Sequence, residues 1–230
     1  MKDNDDTGLE FSTVLASTVS DMKNSLGLLM QNWHQWLEQL PPELSESGER
    51  GVIEYEALRL NGMLMQTFGL YRLLTDQLPL HPDWTDITEL LQEQLARHHE
   101  ILDARNIQSS CAVEDIDLFV LDAEQVGSVI SNVLNNSIRY THSAIKLSAR
   151  EHNSMLVISV NDDGPGYPEP MLGRYASGAR DVDVSIGSTG LGLYFNQCIA
   201  SLHQRDGQHG FIELRNGGEL GGGEFRLHLP

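Results

Sequence analysis

Three short segments in the second half of this 230-residue chain carry residue types suited to chemistry. The first is Asn132-Val-Leu-Asn-Asn136-Ser-Ile-Arg139-Tyr140. On a helix, Asn132 and Asn136 share one face, and Arg139 follows one turn later. Carboxamide oxygens are hard ligands suited to Mg²⁺, and a neighbouring guanidinium can neutralise phosphate charge. The second is Asp162-Asp163-Gly164-Pro165-Gly166, directly after the strand-like MLVISVN run. Glycine there lets the backbone turn sharply beside a ligand, and a carboxylate at the strand end can accept from an exocyclic amine such as that of adenine. The third is Gly187-Ser-Thr-Gly190-Leu-Gly192-Leu193, which opens a helix and so presents backbone N–H groups and a positive helix end to an anion. It lacks the lysine of a GxxxxGK[ST] loop, and no strand–GxGxxG–helix unit is present. Each segment alone is weak. The first also fits a solvated helix face, and the second an ordinary Asp-Gly turn.

The elements that must position them are of mixed type. Thr85–Asn106 reads as helix, Ser110–Val113 and Leu118–Leu121 as short strands, and Ala123–Thr141 as the helix bearing the asparagines. Residues 144–151 and 155–162 alternate as strands do, a helix follows from Gly190 to His203, and residues 211–215 and 224–229 close the chain as strands. Strands grouped with helices, without regular βαβ alternation, indicate an α+β layer.

The first half is different. Leu15, Val19, Met22, Leu26, Leu29, Trp33, Trp36 and Leu40 follow alternating steps of four and three, a heptad seam on one helix. Residues 1–8 are polar and expected to fray. Pro41-Pro42 stops the helix, and 43–49 is a polar turn. A second helix carries Ala57, Leu60, Leu64, Tyr71, Leu74 and Leu78, with Thr67 the polar intruder. Such a hairpin cannot bury its seam alone, so a dimeric four-helix bundle is expected; folding of the hairpin onto its own C-terminal half is the alternative. Residues 79–84 read as a linker, giving a helical domain at 1–80 and an α/β sandwich at 81–230.

Fifteen Lys+Arg against thirty-three Asp+Glu give a formal net charge of −18. That balance argues against nucleic acid or an anionic membrane surface as partner. Cys111 and Cys198 are too far apart in sequence for a CxxC site and fit a reducing compartment. No apolar run reaches spanning length, and the acidic start is unlike a signal peptide, so a soluble, cytoplasmic chain without membrane insertion is expected.

Taken together, in this order and spacing, the three segments resemble the N, G1 and G2 boxes of the superfamily joining DNA gyrase, heat-shock chaperone ATPases, mismatch-repair ATPases and sensor histidine kinases. The Asn-x-x-x-Asn-x-x-Arg-Tyr form and the GLGLYF run resemble the histidine-kinase branch. The resemblance implies ATP and Mg²⁺ as cofactors, with Asn136 on the metal. It implies that Asn132, Arg139 and Tyr140 are nucleotide contacts, that Asp162 reads adenine, and that Gly164, Gly166, Gly190 and Gly192 are loop glycines. Residues between Tyr167 and Thr189 would form an ATP lid. Ser188 departs from the first G2 glycine, and the Phe-rich lid box is absent, with Met171 to Tyr175 as a divergent remnant.

The first half adds to the resemblance. Ser20-Asp21-Met22-Lys23-Asn24-Ser25-Leu26 is similar to the dimerisation-helix H box, His-Asp/Glu-x-Lys/Arg-Asn/Thr-Pro-Leu. Ser25 stands for the proline and Ser20 for the phospho-accepting histidine. Serine is a weak nucleophile without an activating base, and its ester is a poor phosphate donor. The expectation is a homodimeric histidine-kinase-type protein that binds Mg-ATP and engages a response-regulator receiver domain, with autophosphorylation blocked at Ser20. A separate sensor protein would supply input. The alternative is a non-catalytic pseudokinase or a regulator-sequestering or phosphatase module, for which Asp21 and Asn24 have the spacing of the family's phosphatase motif. A serine kinase of the anti-sigma type fits less well, having no need of an H-box helix. His34, His98, His99 and His142 are read as surface histidines.

Overall fold

The heptad pattern becomes one long helix, α1 (Asn4–Leu37), in a computed structural model that describes residues 4–37, 60, 62–64, 67, 69, 78–175 and 190–230. The helix starts at Asn4, inside the segment expected to fray. The chain divides into two units, Met1–Leu78 and Pro79–Pro230.

In the first unit the seam of α1 splits into two rows. Val19 is buried and Leu26 and Trp33 are half-buried, whereas Met22, Leu29 and Trp36, spaced by sevens, are 49%, 57% and 51% exposed. Leu60, 62–64 and Thr67 are helical, and the Thr67 hydroxyl donates to the Met63 carbonyl at 2.8 Å. Satisfying the hydroxyl on its own helix is how a polar residue is tolerated in an apolar run. Leu78 is not helical. The expected turn at 41–49 and most of the second helix lie outside the described residues, as do the side chains of Leu15, Ser20 and His34.

The second unit is a two-layer sandwich. Its sheet has the order β2-β4-β5-β9-β8, built from β2 (Gln108–Glu114), β4 (Ala144–His152), β5 (Met155–Asp162), β8 (Phe211–Asn216) and β9 (Gly223–Leu229). Only the β2–β4 pairing is parallel. The helices α2 (Ile87–Arg97), α4 (Ala123–Tyr140) and α6 (Gly190–Leu202) pack against it and against one another, with the short α3 (His99–Ala104) beside β2. Val126, Val129, Ile130, Val133, Leu134 and Ile138 form the buried stripe of α4. They meet Leu147, Leu156, Ile158, Phe225 and Leu227 of the sheet layer, all at most 1% exposed. The opposite face carries ion pairs, with Arg215–Glu213 and Arg226–Glu224 both at 2.9 Å.

The strands expected at 118–121, 144–151 and 155–162 match β3 (Leu118–Leu121), β4 and β5 to within one residue. The expected linker differs. Asp83–Asp86 is a strand, β1, paired antiparallel with β3 so that Trp84 faces Val120. The helix expected from Thr85 starts at Ile87, because Asp86 caps it by accepting the Glu89 N–H at 2.9 Å. It also breaks at His98, which is 7% exposed rather than on the surface. There Nδ1 contacts the Gln94 carbonyl at 2.8 Å, and burial pushes the imidazole pKa down. A further hairpin, β6 (Gln204–Arg205) with β7 (Gln208–His209), had no counterpart in the expected strands.

Candidate functional site

The N-terminal cap of α4 sets the height at which its asparagines meet the sheet. Asp122 is 4% exposed and accepts the Gln125 N–H at 3.0 Å and the His81 N–H at 2.8 Å. Its own N–H donates to His203 Nε2 at 3.2 Å, which ties the start of α4 to the end of α6.

At the other end, α4 runs out against the loop after β5. A cavity of about 470 Å³ opens there, lined by Asn136, Ser137 and Tyr140 of α4 and by Asp162, Gly166 and Tyr167 of the loop, and closed by Met171, Leu193 and Gly223. Two of the three sequence segments therefore converge, and the third reaches the cavity through Leu193. Arg139 is exposed beside it, its guanidinium 5.3 Å from the Tyr140 ring centroid. Asn132 does not line the cavity; its Nδ2 donates to Asn196 Oδ1 of α6 at 2.9 Å.

Asp162 is held firmly at the cavity wall, 7% exposed. Its Oδ1 accepts the N–H groups of Gly164 at 2.9 Å and Gly223 at 3.1 Å. Oδ2 accepts the Ser137 hydroxyl at 3.3 Å. A carboxylate oxygen has capacity for more than one donor, so Oδ2 can still accept an amine from the cavity. Tyr167 lies close by, and burial together with the Asp162 carboxylate pushes its phenol pKa up, keeping it protonated.

The loop is shaped by close contacts. A Cβ on Gly164 would lie 2.6 Å from the Tyr140 carbonyl oxygen, so no side chain fits between the loop and the end of α4. Gly166 has φ +79° and abuts the Asn216 amide, a conformation that disfavours any side chain. Asn216 in turn accepts the Tyr167 N–H at 2.7 Å and donates to the Tyr167 carbonyl at 2.8 Å. It thereby fixes the chain as it leaves the cavity towards α5 (Glu169–Arg174). Met171 lines the cavity and Tyr175 is 4% exposed; the rest of the expected lid, 176–189, with Gly187 and Ser188, lies outside the described residues.

Asp163 points the other way and ties the loop to the turn after α4. Its carboxylate accepts from the Thr141 hydroxyl, from the His142 N–H at 2.8 Å, and from the Ser143 N–H at 3.0 Å and hydroxyl at 2.6 Å. Desolvation alone pushes this carboxyl up, but the bonds from Ser143 and Thr141 outweigh it and hold the pKa well below the carboxylate range. A depressed folded-state pKa stabilises the fold above the unfolded value, near about 4, and that stabilisation is lost as pH falls through the folded value. Asp163→Asn should therefore cost roughly 1.5–3 kcal/mol at neutral pH. Denaturant midpoints taken downward from pH 6 should fall less steeply for the variant; parallel curves would exclude the carboxylate as the cause.

The residues present fit a nucleotide and a divalent cation. Among the described residues, no group of three or more His, Cys, Asp or Glu side chains could hold a metal ion. The exposed Asn136 carboxamide is an oxygen donor at the cavity, and a single such ligand would leave most positions to phosphate and water, as Mg²⁺ prefers. Asn132, Asn136, Arg139, Tyr140, Asp162, Gly164 and Gly166 all gather at or beside the cavity; Gly190 opens α6 and Gly192 sits one residue pair further along it. Ser20, Asp21 and Asn24 belong to α1 in the other unit, where Asp21 and Asn24 are exposed. Sequence reading missed Ser137, Asn196, Asn216 and Gly223. The glycine run at 221–223 was a usable signal for the last, since β9 starts by docking its N–H groups onto Asp162.

Comparison with known proteins gives these features a context. Residues 121–230 match the family model described as Histidine kinase-, DNA gyrase B-, and HSP90-like ATPase. The chain is 26% identical over 224 residues to the sensor histidine kinase CssS of Bacillus subtilis (strain 168), covering 95% of this chain and 46% of that protein. It therefore spans about half the length of this curated relative. Among solved structures, the nucleotide-free catalytic domain of histidine kinase ThkA superposes with a TM-score of 0.54 at 23% identity, over 66% of this chain and 96% of that one. Full-length ShkA in complex with AMPPNP gives 0.62 at 19% identity, over 95% of this chain and 45% of that one. Both show the fold.

Proposed function

Starting from a C-terminal unit that carries a histidine-kinase-type ATPase domain, we propose that the chain is a two-component histidine-kinase-type protein that binds Mg-ATP in the cavity and engages a response-regulator receiver domain. The observation that carries this reading is the buried Asp162 carboxylate, presented at the wall of a cavity that also contains Asn136 and Gly166. Asp162 accepts the exocyclic amine of adenine, Asn136 holds Mg²⁺ on the phosphates, and Arg139 offsets their charge. Bound there, Mg-ATP supplies the phosphoryl group; the chain's own residues orient it and neutralise its charge.

The exposed row Met22, Leu29 and Trp36 supports a homodimer, because a heptad row left open in one chain is covered when a second copy packs against it. Among the described residues no helix is long and apolar enough to cross a membrane. Ser20 at the acceptor position blocks autophosphorylation.

A second reading is favoured by Asp21 and Asn24, both exposed on α1 and three residues apart. That spacing places them on one helical face, where they can orient water against a partner's aspartyl phosphate. In this reading the chain is a non-catalytic or phosphatase module acting on the regulator.

Calorimetric titration of the full chain with ATP tests the nucleotide assignment. Saturable binding strengthened by Mg²⁺ is expected. Absence of binding with Mg²⁺ present would overturn the nucleotide reading and leave the second reading standing.

A further inference from the structure

We propose that Tyr167 is a specificity-determining residue of the cavity, its phenol donating to the ring nitrogen N1 beside the exocyclic amine of adenine; the inference rests on the cavity binding ATP. That edge of the base offers a donor, the amine, next to an acceptor, the nitrogen. An ionised carboxylate only accepts, so Asp162 can answer the amine and not the nitrogen. A site that reads both needs a donor close to Asp162. Among the lining side chains, Asn136, Ser137, Tyr140 and Tyr167 carry donors. The Ser137 hydroxyl donates to Asp162 Oδ2 at 3.3 Å, and Asn136 and Tyr140 are exposed near the end of α4. Tyr167 remains.

Its ring lies next to the carboxylate. A Cβ on Gly223 would stand 3.1 Å from Tyr167 Cε2 and 3.1 Å from Asp162 Oδ2. The ring edge and the oxygen left to take the amine thus converge on one point, which glycine keeps open. The phenol is also available. The hydrogen bonds of Tyr167 run from its backbone to Asn216, and its hydroxyl has no partner among the described residues. Burial and the Asp162 carboxylate push its pKa up, so at neutral pH it stays an O–H donor. A half-buried hydroxyl without a protein partner turns to water or to a ligand. The root of the ring is fixed in advance as well. Asn216 accepts from the Tyr167 N–H and donates to its carbonyl, and exchanging the two ends of that amide would lose both bonds. Little ordering is then left for binding to impose.

The test is Tyr167→Phe in the full chain, which keeps the ring against Gly223 and removes only the hydroxyl. Titrations in excess Mg²⁺ compare ATP with its 1-deaza analogue, in which the ring nitrogen N1 is replaced by carbon. One neutral hydrogen bond changes affinity by about fivefold to tenfold. The unsubstituted chain should bind the analogue more weakly than ATP by that factor. Tyr167→Phe should bind ATP more weakly by the same factor and should no longer distinguish the two nucleotides. Unchanged ATP affinity in the variant would overturn the proposal. So would an equal loss for both nucleotides, which would make packing of the ring the cause. If the unsubstituted chain binds no ATP, the nucleotide reading fails and carries this inference with it. ATP binding by that chain with an indifferent Tyr167→Phe overturns this inference alone.

Discussion

Ser20→His is expected to turn on phosphorylation, while the unsubstituted chain is expected to stay unlabelled. Position 20 lies within α1 (Asn4–Leu37), in regular helix, beside the seam residue Val19, and the exposed Asp21 and Asn24 follow it. The backbone at position 20 is regular helix, so the substitution changes the nucleophile and keeps the helix. Imidazole has an unperturbed pKa of about 6.5, so at neutral pH a large share of it is the free base and can attack phosphorus. A serine hydroxyl has no such fraction and needs a base to activate it. With γ-labelled ATP and Mg²⁺, the histidine variant should gain label approaching stoichiometry, and the label should be lost in acid and survive alkali, as a phosphoramidate does. The parent chain should stay at background. Acid-stable label on the parent would make Ser20 itself an acceptor and end the blocked-acceptor reading. An unlabelled histidine variant that still binds Mg-ATP would leave the phosphatase or pseudokinase reading standing instead.

Asp162→Asn is expected to abolish adenine recognition while leaving the fold intact. Two backbone N–H groups, of Gly164 and Gly223, point at Oδ1, so the asparagine must place its oxygen there and its NH₂ where Oδ2 was. The Ser137 hydroxyl, which donates to Oδ2 at 3.3 Å, can rotate and accept from that NH₂. The internal bonds survive, but the cavity now meets a donor where it had an acceptor. A site built to hydrogen-bond one substrate group discriminates strongly against its loss, so ATP affinity should fall by at least roughly a hundredfold. GTP, with a carbonyl in place of the exocyclic amine, should lose nothing and gain relative to ATP. Competition titrations with the two nucleotides check this, with the circular dichroism spectrum as the control for folding. An unchanged ATP-to-GTP preference would show that Asp162 is not the group that reads the base.

Much of the second unit was legible because it is written in local periodicity. The α4 helix was visible over Ala123–Thr141, and β4 and β5 were visible in two-residue alternation. The asparagines and the Asp-Gly loop were visible for the same reason, since the chemistry sits on the last turn of a helix and the first residues after a strand. What failed was non-local. Residues 79–84 contain two prolines and looked like a linker, yet Asp83–Asp86 pairs with β3 some thirty-five residues later. No feature of the PLHPDW run announces that partner. His98 reads as one of a surface pair, and it is buried only because a helix break turns it under α4, where Ser131 Oγ lies 3.4 Å from its Nε2.

The amino-acid sequence by itself determined most element types and singled out Asn136, Tyr140, Asp162 and Gly166, which line the cavity. These depend on neighbours within one or two turns, where periodicity, caps and glycine act directly. Only the tertiary structure decided that Asn132 turns towards α6, that Asn216 clamps Tyr167, and that Gly223 completes the hold on Asp162. Each of those contacts spans roughly fifty to sixty-five residues of sequence. They are set by strand register and by how α4 and α6 pack on a shared sheet, and a single side chain's character does not specify which distant backbone or amide will stand opposite it.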